Sequence, residues 1–158
     1  MKQIIITLSL VLLTTALFSQ KKKEVKKYKI KALTVTSTEN GKTINDSRTV
    51  FGTTGEVIEE INYDKNGVVK STIKYKHNSE GDVLEEAEYD EKSALKEKRN
   101  YKYKSLGEKI EEAITDASGK LIKKNVYTYD SKGLKSERKS FDANNNLIST
   151  KKYTYEYK

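Results

Sequence analysis

From about residue 42 onward, hydrophobic and polar positions fall into short segments such as "VIEEINY" and "LISTKKYTYEY", rich in β-branched and aromatic residues. None shows the i, i+3, i+4 recurrence of an amphipathic helix, so strands are predicted. The segments end on an aromatic residue and a turn. The series reads "FGTTG" at Phe51, "YDKNG" at Tyr63, "YDEKS" at Tyr89, "YKSLG" at Tyr103, "TDASG" at Thr115, "YDSKG" at Tyr129 and "FDANN" at Phe141. Tyr75 opens what reads as a longer version, "YKHNSEG". Successive anchors lie twelve or fourteen residues apart.

In Asp-x-x-Gly, the aspartate side chain can accept from the backbone ahead of it, and glycine suits the fourth position because the chain turns left-handed there. That is a three-residue hairpin loop closed by a G1 bulge. Asn145 can stand in for glycine, and Ser93 less comfortably. With such loops Tyr63 faces Val69 across the hairpin, and even anchor spacing is expected to hold every anchor on one face of the sheet. Pairing outward from the turns sets Arg48 against Glu60, Lys70 against Glu88, Glu85 against Arg99, Glu86 against Lys98, Glu88 against Lys96, Glu112 against Lys124 and Glu137 against Lys151, with no like charges opposed. Aromatics meet aliphatics on the anchor face: Phe51 with Val57, Tyr63 with Val69, Tyr75 with Val83, Tyr89 with Leu95 and Phe141 with Leu147. Acids at Glu59, Glu85, Glu97 and Glu111 interrupt it, and Ile58, Leu84, Ile110, Ile114, Ile122 and Val126 scatter over the other face. The core is therefore expected to be thin.

The fold class predicted is all-β, an antiparallel up-and-down meander of about nine or ten strands. A curled open sheet or half-barrel is favoured, with a closed barrel as the alternative. Neither face offers the continuous apolar band of a membrane barrel.

The first residues change the picture of where the protein works. Met1 and Lys2 precede an apolar run, Ile4 to Leu13, and then Thr14, Thr15, Ala16 and Ser19, the pattern of a cleaved signal peptide over 1–19. The chain is accordingly expected to be secreted or periplasmic, with no transmembrane segment after cleavage. No cysteine is present, so neither disulfides nor a lipidated cysteine anchor is available. The net charge of +8 resides mostly in "KKKEVKKYKIK", Lys21 to Lys31, which alone contributes six positive charges. Residues 20–31 are therefore expected as a solvated basic tail, 32–158 as the β-repeat domain, and nucleic acid is excluded as a partner.

Reaction chemistry is not indicated. The single histidine, His77, falls in the longer polar loop. The alternating Asp142, Asn144 and Asn146 lack the distal glutamate of a calcium loop and suit turn formation. Glu59 with Glu60, and Glu111 with Glu112, project to opposite faces and cannot act as acid and base pairs by adjacency. No metal site, cofactor or catalytic residue is assigned. One constellation remains: Tyr103 faces Lys109, Lys109 faces Tyr127, Tyr129 faces Lys135, and Lys135 faces Tyr153, with Tyr101 and Tyr155 nearby. Tyr101, Tyr103, Lys109, Tyr127, Tyr129, Lys135 and Tyr153 form a tyrosine and lysine strip able either to grip sugars or acidic glycans, or to pack lysine stems over rings as structure alone.

The units "YDKNG", "YDEKS", "YDSKG" and "FDANN" resemble the YD repeats of the RHS family over roughly Arg48 to Lys158. In large members of that family such arrays form a shell around a toxic C-terminal domain or display surfaces for carbohydrate and cell contact. This chain has too few units to enclose a cargo and no C-terminal domain beyond "YEYK", so the resemblance implies a small exported repeat module. The function expected is non-enzymatic, in binding or cell-envelope structure, with a glycan, an envelope surface or a protein at the exposed "YTYEY" edge strand as partner. A small barrel carrying an apolar ligand is the alternative.

Overall fold

The computed structural model describes residues 22–39, 42–105 and 107–156. The signal peptide expected over 1–19 lies outside the described residues. Ten strands form one antiparallel sheet in sequence order: β1 (Ala32–Glu39), β2 (Lys42–Phe51), β3 (Val57–Tyr63), β4 (Val69–His77), β5 (Val83–Tyr89), β6 (Leu95–Tyr103), β7 (Lys109–Asp116), β8 (Leu121–Tyr129), β9 (Lys135–Asp142) and β10 (Leu147–Lys152). Among the described residues β1 pairs only with β2 and β10 only with β9, so the sheet is open and the closed-barrel alternative is not formed.

The eight turns from β2 to β10 share one closure. The first residue of each donates to the carbonyl four positions on at 2.8–3.0 Å and accepts from the amide three positions on at 2.9–3.1 Å. Aspartate supplies the rest at five of them: Asp64 Oδ1, for example, accepts from the amides of Asn66 and Val68 at 2.8 and 2.9 Å. Ser93 and Asn145 take the left-handed conformation otherwise held by glycine, with φ of 63° and 65°. The loop after β4 is not a longer version. It runs from Asn78 to Asp82 with the same closure, Asn78 Oδ1 standing in for aspartate, and its anchor is His77. Tyr75 therefore faces Glu86, and His77 faces Val83.

Just past every one of these turns the returning strand carries a second bulge. Tyr63 faces Val69 but Asn62 faces Ser71, leaving Lys70 unpaired; likewise Tyr103 faces Lys109 while Lys102 faces Glu111. Each bulge flips parity, so the anchors do not share a face. Pairing and alternation put Tyr63, Tyr89, Thr115 and Phe141 on one face, here face B, and Phe51, Tyr103 and Tyr129 on the other, face A. The same bulges overturn the expected charge pairing. Thr49 rather than Arg48 faces Glu60, Asn100 faces Glu85, Arg99 faces Glu86, Asn125 faces Glu112, and Lys152 faces Glu137; Lys70 and Glu88 are not partners. Lys96 no longer lies opposite Glu88 but still forms an ion pair with it. Three like-charged oppositions result, Glu88 with Glu97, Glu97 with Asp116, and Arg138 with Lys151. Favourable cross-strand pairs also appear, such as Lys76 with Glu85 at 2.9 Å and Lys102 with Glu111 at 2.7 Å.

Residues 22–28, whose lysine density points to a solvated tail, form a short helix, α1. It ends where Lys29 turns left-handed (φ 53°), with Ile30 N donating to Val25 O at 3.0 Å and Lys29 N to Lys26 O at 3.3 Å. This is a Schellman closure, which brings Ile30 back beside Val25. Val25 is buried, and with Ile30, Leu33 and Phe51 it lines a small apolar pocket between the helix and face A. The lysines of α1 stay at the surface or over the turns. The core is thin, as expected. Tyr101, Tyr127, Glu112, Asn125 and Ser140 are its buried members on face A, and Ala87 the small one on face B.

Candidate functional site

Two bulged hairpins add twelve and fourteen residues, so structure on face A recurs every 26 residues. Tyr75, Tyr101, Tyr127 and Tyr153 form one such series, and Glu60, Glu86, Glu112 and Arg138 another. Tyr75 OH donates to Glu60 Oε2 at 3.0 Å and Tyr127 OH to Glu112 Oε2 at 2.8 Å, while Tyr101 meets Glu86. Burial, reinforced by these carboxylates, pushes all three phenols well above the ordinary tyrosine range. A third series bonds to backbone instead. Tyr103, Tyr129 and Tyr155 donate to the carbonyls of Val83, Lys109 and Lys135 at 2.9, 2.7 and 2.9 Å. Burial raises the Tyr103 phenol to about 12.

The centre of face A is polar but satisfied. Ser140, fully buried, donates to Asn125 Oδ1 at 2.6 Å, and Asn125 Nδ2 donates to Glu112 Oε2 at 2.7 Å. Burial disfavours the Glu112 carboxylate, yet the bonds from Asn125 and Tyr127, with Lys109 and Arg99 nearby, hold its pKa below the ordinary value. A buried acid with this many donors fixes its neighbours as firmly as an apolar contact would.

The strip read from sequence is assembled on this face. Lys109 Nζ lies 4.5 Å from the Tyr101 ring centroid and 5.3 Å from that of Tyr127; Lys135 Nζ lies 4.8 Å from Tyr127 and 5.6 Å from Tyr153. Tyr103 faces Lys109 and Tyr129 faces Lys135 in register. The other two proposed oppositions are ring contacts rather than register partners. Tyr101 and Tyr127 are only 8% and 7% exposed, so their rings belong to the wall, whereas Tyr153, at 37%, is the one of the three lysine-capped rings open to a ligand.

The 26-residue period also duplicates a groove. The first, about 610 Å³, is bounded by Glu56, Ile58, Tyr75 and His77 and roofed by Lys22, Lys23 and Lys26 of α1. Its equivalent, about 850 Å³, is bounded by Asp82, Leu84, Tyr101 and Tyr103, and α1 does not reach it. Sequence reasoning missed both grooves and the parts of Glu60, Glu86, Glu112, Asn125, Ser140 and Arg138. The signal that would have found them is the recurrence of tyrosine and of acid at 26. His77, expected in an exposed loop, is half-buried at the end of β4, where burial lowers its pKa, Glu56 raises it and Lys22 lowers it further. Among the described residues no cluster of acidic and histidine side chains is arranged to hold a metal ion, and no helix is long and apolar enough to cross a membrane.

No family model matches the chain, and no curated protein matches it. Among solved structures it is similar to a protein of unknown function from Bacteroides fragilis NCTC 9343, at 13% identity and a TM-score of 0.42, over 80% of this chain and 96% of that one. It is similar to TarM at 13% identity and a TM-score of 0.33, over 82% of this chain and 23% of TarM. A DUF3836 family protein from Parabacteroides distasonis ATCC 8503 aligns at 17% identity and a TM-score of 0.30, over 72% and 92%.

Proposed function

We propose that the chain is an exported, non-enzymatic β-repeat module, of the kind its YD-like hairpins imply, that binds sugars through face A at or outside the cell envelope. The observation that carries this reading is the strip itself. Two ammonium groups, Lys109 and Lys135, are poised over three tyrosine rings beside an open groove. Rings offer flat apolar surface to a sugar's C–H face, and flanking cations donate to its hydroxyls. A carrier of apolar ligands would need an enclosed lumen, which an open sheet does not supply.

The test is a glycan array probed with the wild-type protein and with Lys109→Met plus Lys135→Met, which keeps the packed stems and removes the charges. Binding should be lost while the melting temperature moves by no more than a few degrees. Binding that survives in the variant, or its absence in the wild type, sinks the reading. Export is tested separately by expressing the full chain and sequencing the mature N-terminus, expected near Ser19 and Gln20.

A second reading rests on β10, all six of whose residues are exposed, including Leu147 and Ile148. An open edge with apolar side chains can accept another strand. Size-exclusion of the chain with and without residues 153–158 decides it: a monomer in both forms removes the edge as an interface.

A further inference from the structure

Where Glu60, Glu86 and Glu112 meet tyrosines, the next member of the series is Arg138. The reversal of charge falls where little is present to neutralise it. Arg138 faces Tyr127 on one side and Lys151 on the other, and its Nε is buried without a hydrogen-bond partner. Lys109 and Lys135 share the Tyr127 ring. The carboxylate among them, Glu112, is already engaged by Asn125 and Tyr127. Burial lowers the pKa of Lys135, Lys109 and Arg138 lower it further, and Glu112 offsets them only in part. A buried donor left unpaired among like charges is a costly arrangement in the free protein. A ligand that supplies the missing acceptors and negative charge removes that cost. Guanidinium Nε and Nη present a planar fork that matches two oxygens of one oxyanion.

Resting on the sugar-binding reading and narrowing it, we infer that Arg138, Lys135 and Lys109 receive a carboxylate or phosphate carried on a sugar ring that stacks on Tyr153. Tyr153 supplies the accessible ring, and Lys135 already bridges it to Tyr127. The acidic sugar then completes on β8, β9 and β10 what glutamate completes within the chain on β3 to β8.

Calorimetric titration of the full chain with glucuronic acid, glucose 6-phosphate, glucose and inorganic phosphate tests this. At least one acidic sugar should bind ten-fold or more tighter than glucose, and which one it is separates the carboxylate source from the phosphate source. Arg138→Gln should weaken that binding at least ten-fold without lowering the melting temperature. Lys135→Met serves as the second variant should Arg138→Gln fail to fold, and Tyr153→Ser should weaken the acidic sugar to the level of inorganic phosphate. Equal affinity for glucose and both acids overturns the oxyanion site while leaving sugar binding intact. Inorganic phosphate binding as tightly as glucose 6-phosphate, an adventitious ion only, overturns it too, as does acidic-sugar binding indifferent to Arg138 and Lys135.

Discussion

The two grooves of face A are built from the same 26-residue device and differ in what borders them. In the first, α1 lies over Glu56, Tyr75 and His77, and the backbone carbonyl of Lys22 sits close above Gly55. In the second, Asp82, Tyr101 and Tyr103 line a trough that α1 does not reach. Further along, the contrast sharpens, since tyrosines on β4, β6 and β8 find an acid of the chain while the equivalent position on β9 is Arg138. Repetition fixes the backbone scaffold, and a few substitutions decide whether a unit satisfies itself or leaves its polar groups for something else. One end of the face is bordered by α1 and supplies acids to its own tyrosines; the other carries Arg138, whose Nε has no hydrogen-bond partner.

The strongest test of that contrast is to break a satisfied unit. Glu112→Ala leaves Asn125 Nδ2 and the Tyr127 hydroxyl without their acceptor, and Ser140 loses its fixed partner behind them. The expected loss is about 3 kcal/mol in urea unfolding, from the cost of stranded buried donors. The same unit has a pH signature. The Glu112 pKa is depressed, so its contribution is present above the ordinary 4.5 and disappears as pH falls through the folded value. The phenols of Tyr75, Tyr101 and Tyr127 are raised, so theirs is complete below 10.0 and is lost as pH climbs toward the folded values. Ring NMR signals of Tyr75, Tyr101 and Tyr127 should therefore move to the phenolate position only together with loss of β circular dichroism, above pH 10.0. Ionisation of any of these three in a still-folded sheet would contradict the buried phenol and carboxylate pairs.

Next in size is the roof. Gly55 and Gly67 both sit at positive φ, 85° and 80°, so alanine at either costs about 1–2 kcal/mol in backbone strain. They differ in what a methyl group meets. Nothing lies within 4 Å at Gly67, whereas at Gly55 it would stand 2.7 Å from the Lys22 carbonyl oxygen. Gly55→Ala should therefore lose a further ~1 kcal/mol as α1 lifts and Val25 is partly exposed. Hydrogen exchange should report the lift at 22–28 in that variant and not in Gly67→Ala. Equal costs and an undisturbed α1 would mean that the close approach of Lys22 to Gly55 does not seat the helix.

Much of this was legible before any coordinates. Asp-x-x-Gly punctuation gave the strand count, the strand order and the turn type, because each turn is determined by four or five consecutive residues. The Tyr and Lys strip was also legible, since Tyr103 with Lys109 and Tyr129 with Lys135 flank single turns and need no knowledge of what lies further off. Register beyond the turn was not. The unpaired residues at the second bulges include Ile58, Lys70, Leu84, Lys96, Ile110, Ile122, Ser136 and Ile148. Five are isoleucine or leucine and the other three are Lys70, Lys96 and Ser136, so no one side chain marks the bulge, a backbone event that tolerates most residues. One overlooked residue per hairpin was enough to put Tyr129 on the wrong face relative to Tyr63, and to hide the Glu112, Asn125 and Ser140 chain. The lysine-rich 22–28 segment escaped for a different reason. Its helix is held by one docked valine and a left-handed lysine, neither of which stands out against the seven lysines of residues 21–31.

The smallest expected effect bears most directly on why the two halves differ. Arg138→Glu would give β9 the residue that its counterparts on β3, β5 and β7 carry, and would turn the opposition with Lys151 into attraction. A cross-strand pair of this kind is worth about 0.5 kcal/mol, so the variant should be more stable than the wild type by roughly that much. Lys151→Met removes the opposition without adding an acid and should recover only part of the gain. The sign carries the argument. A variant that is more stable but no longer binds acidic sugars shows that arginine is kept at this position at the expense of the fold. A loss of stability would mean that Arg138 is satisfied by the sheet itself, as its glutamate counterparts are.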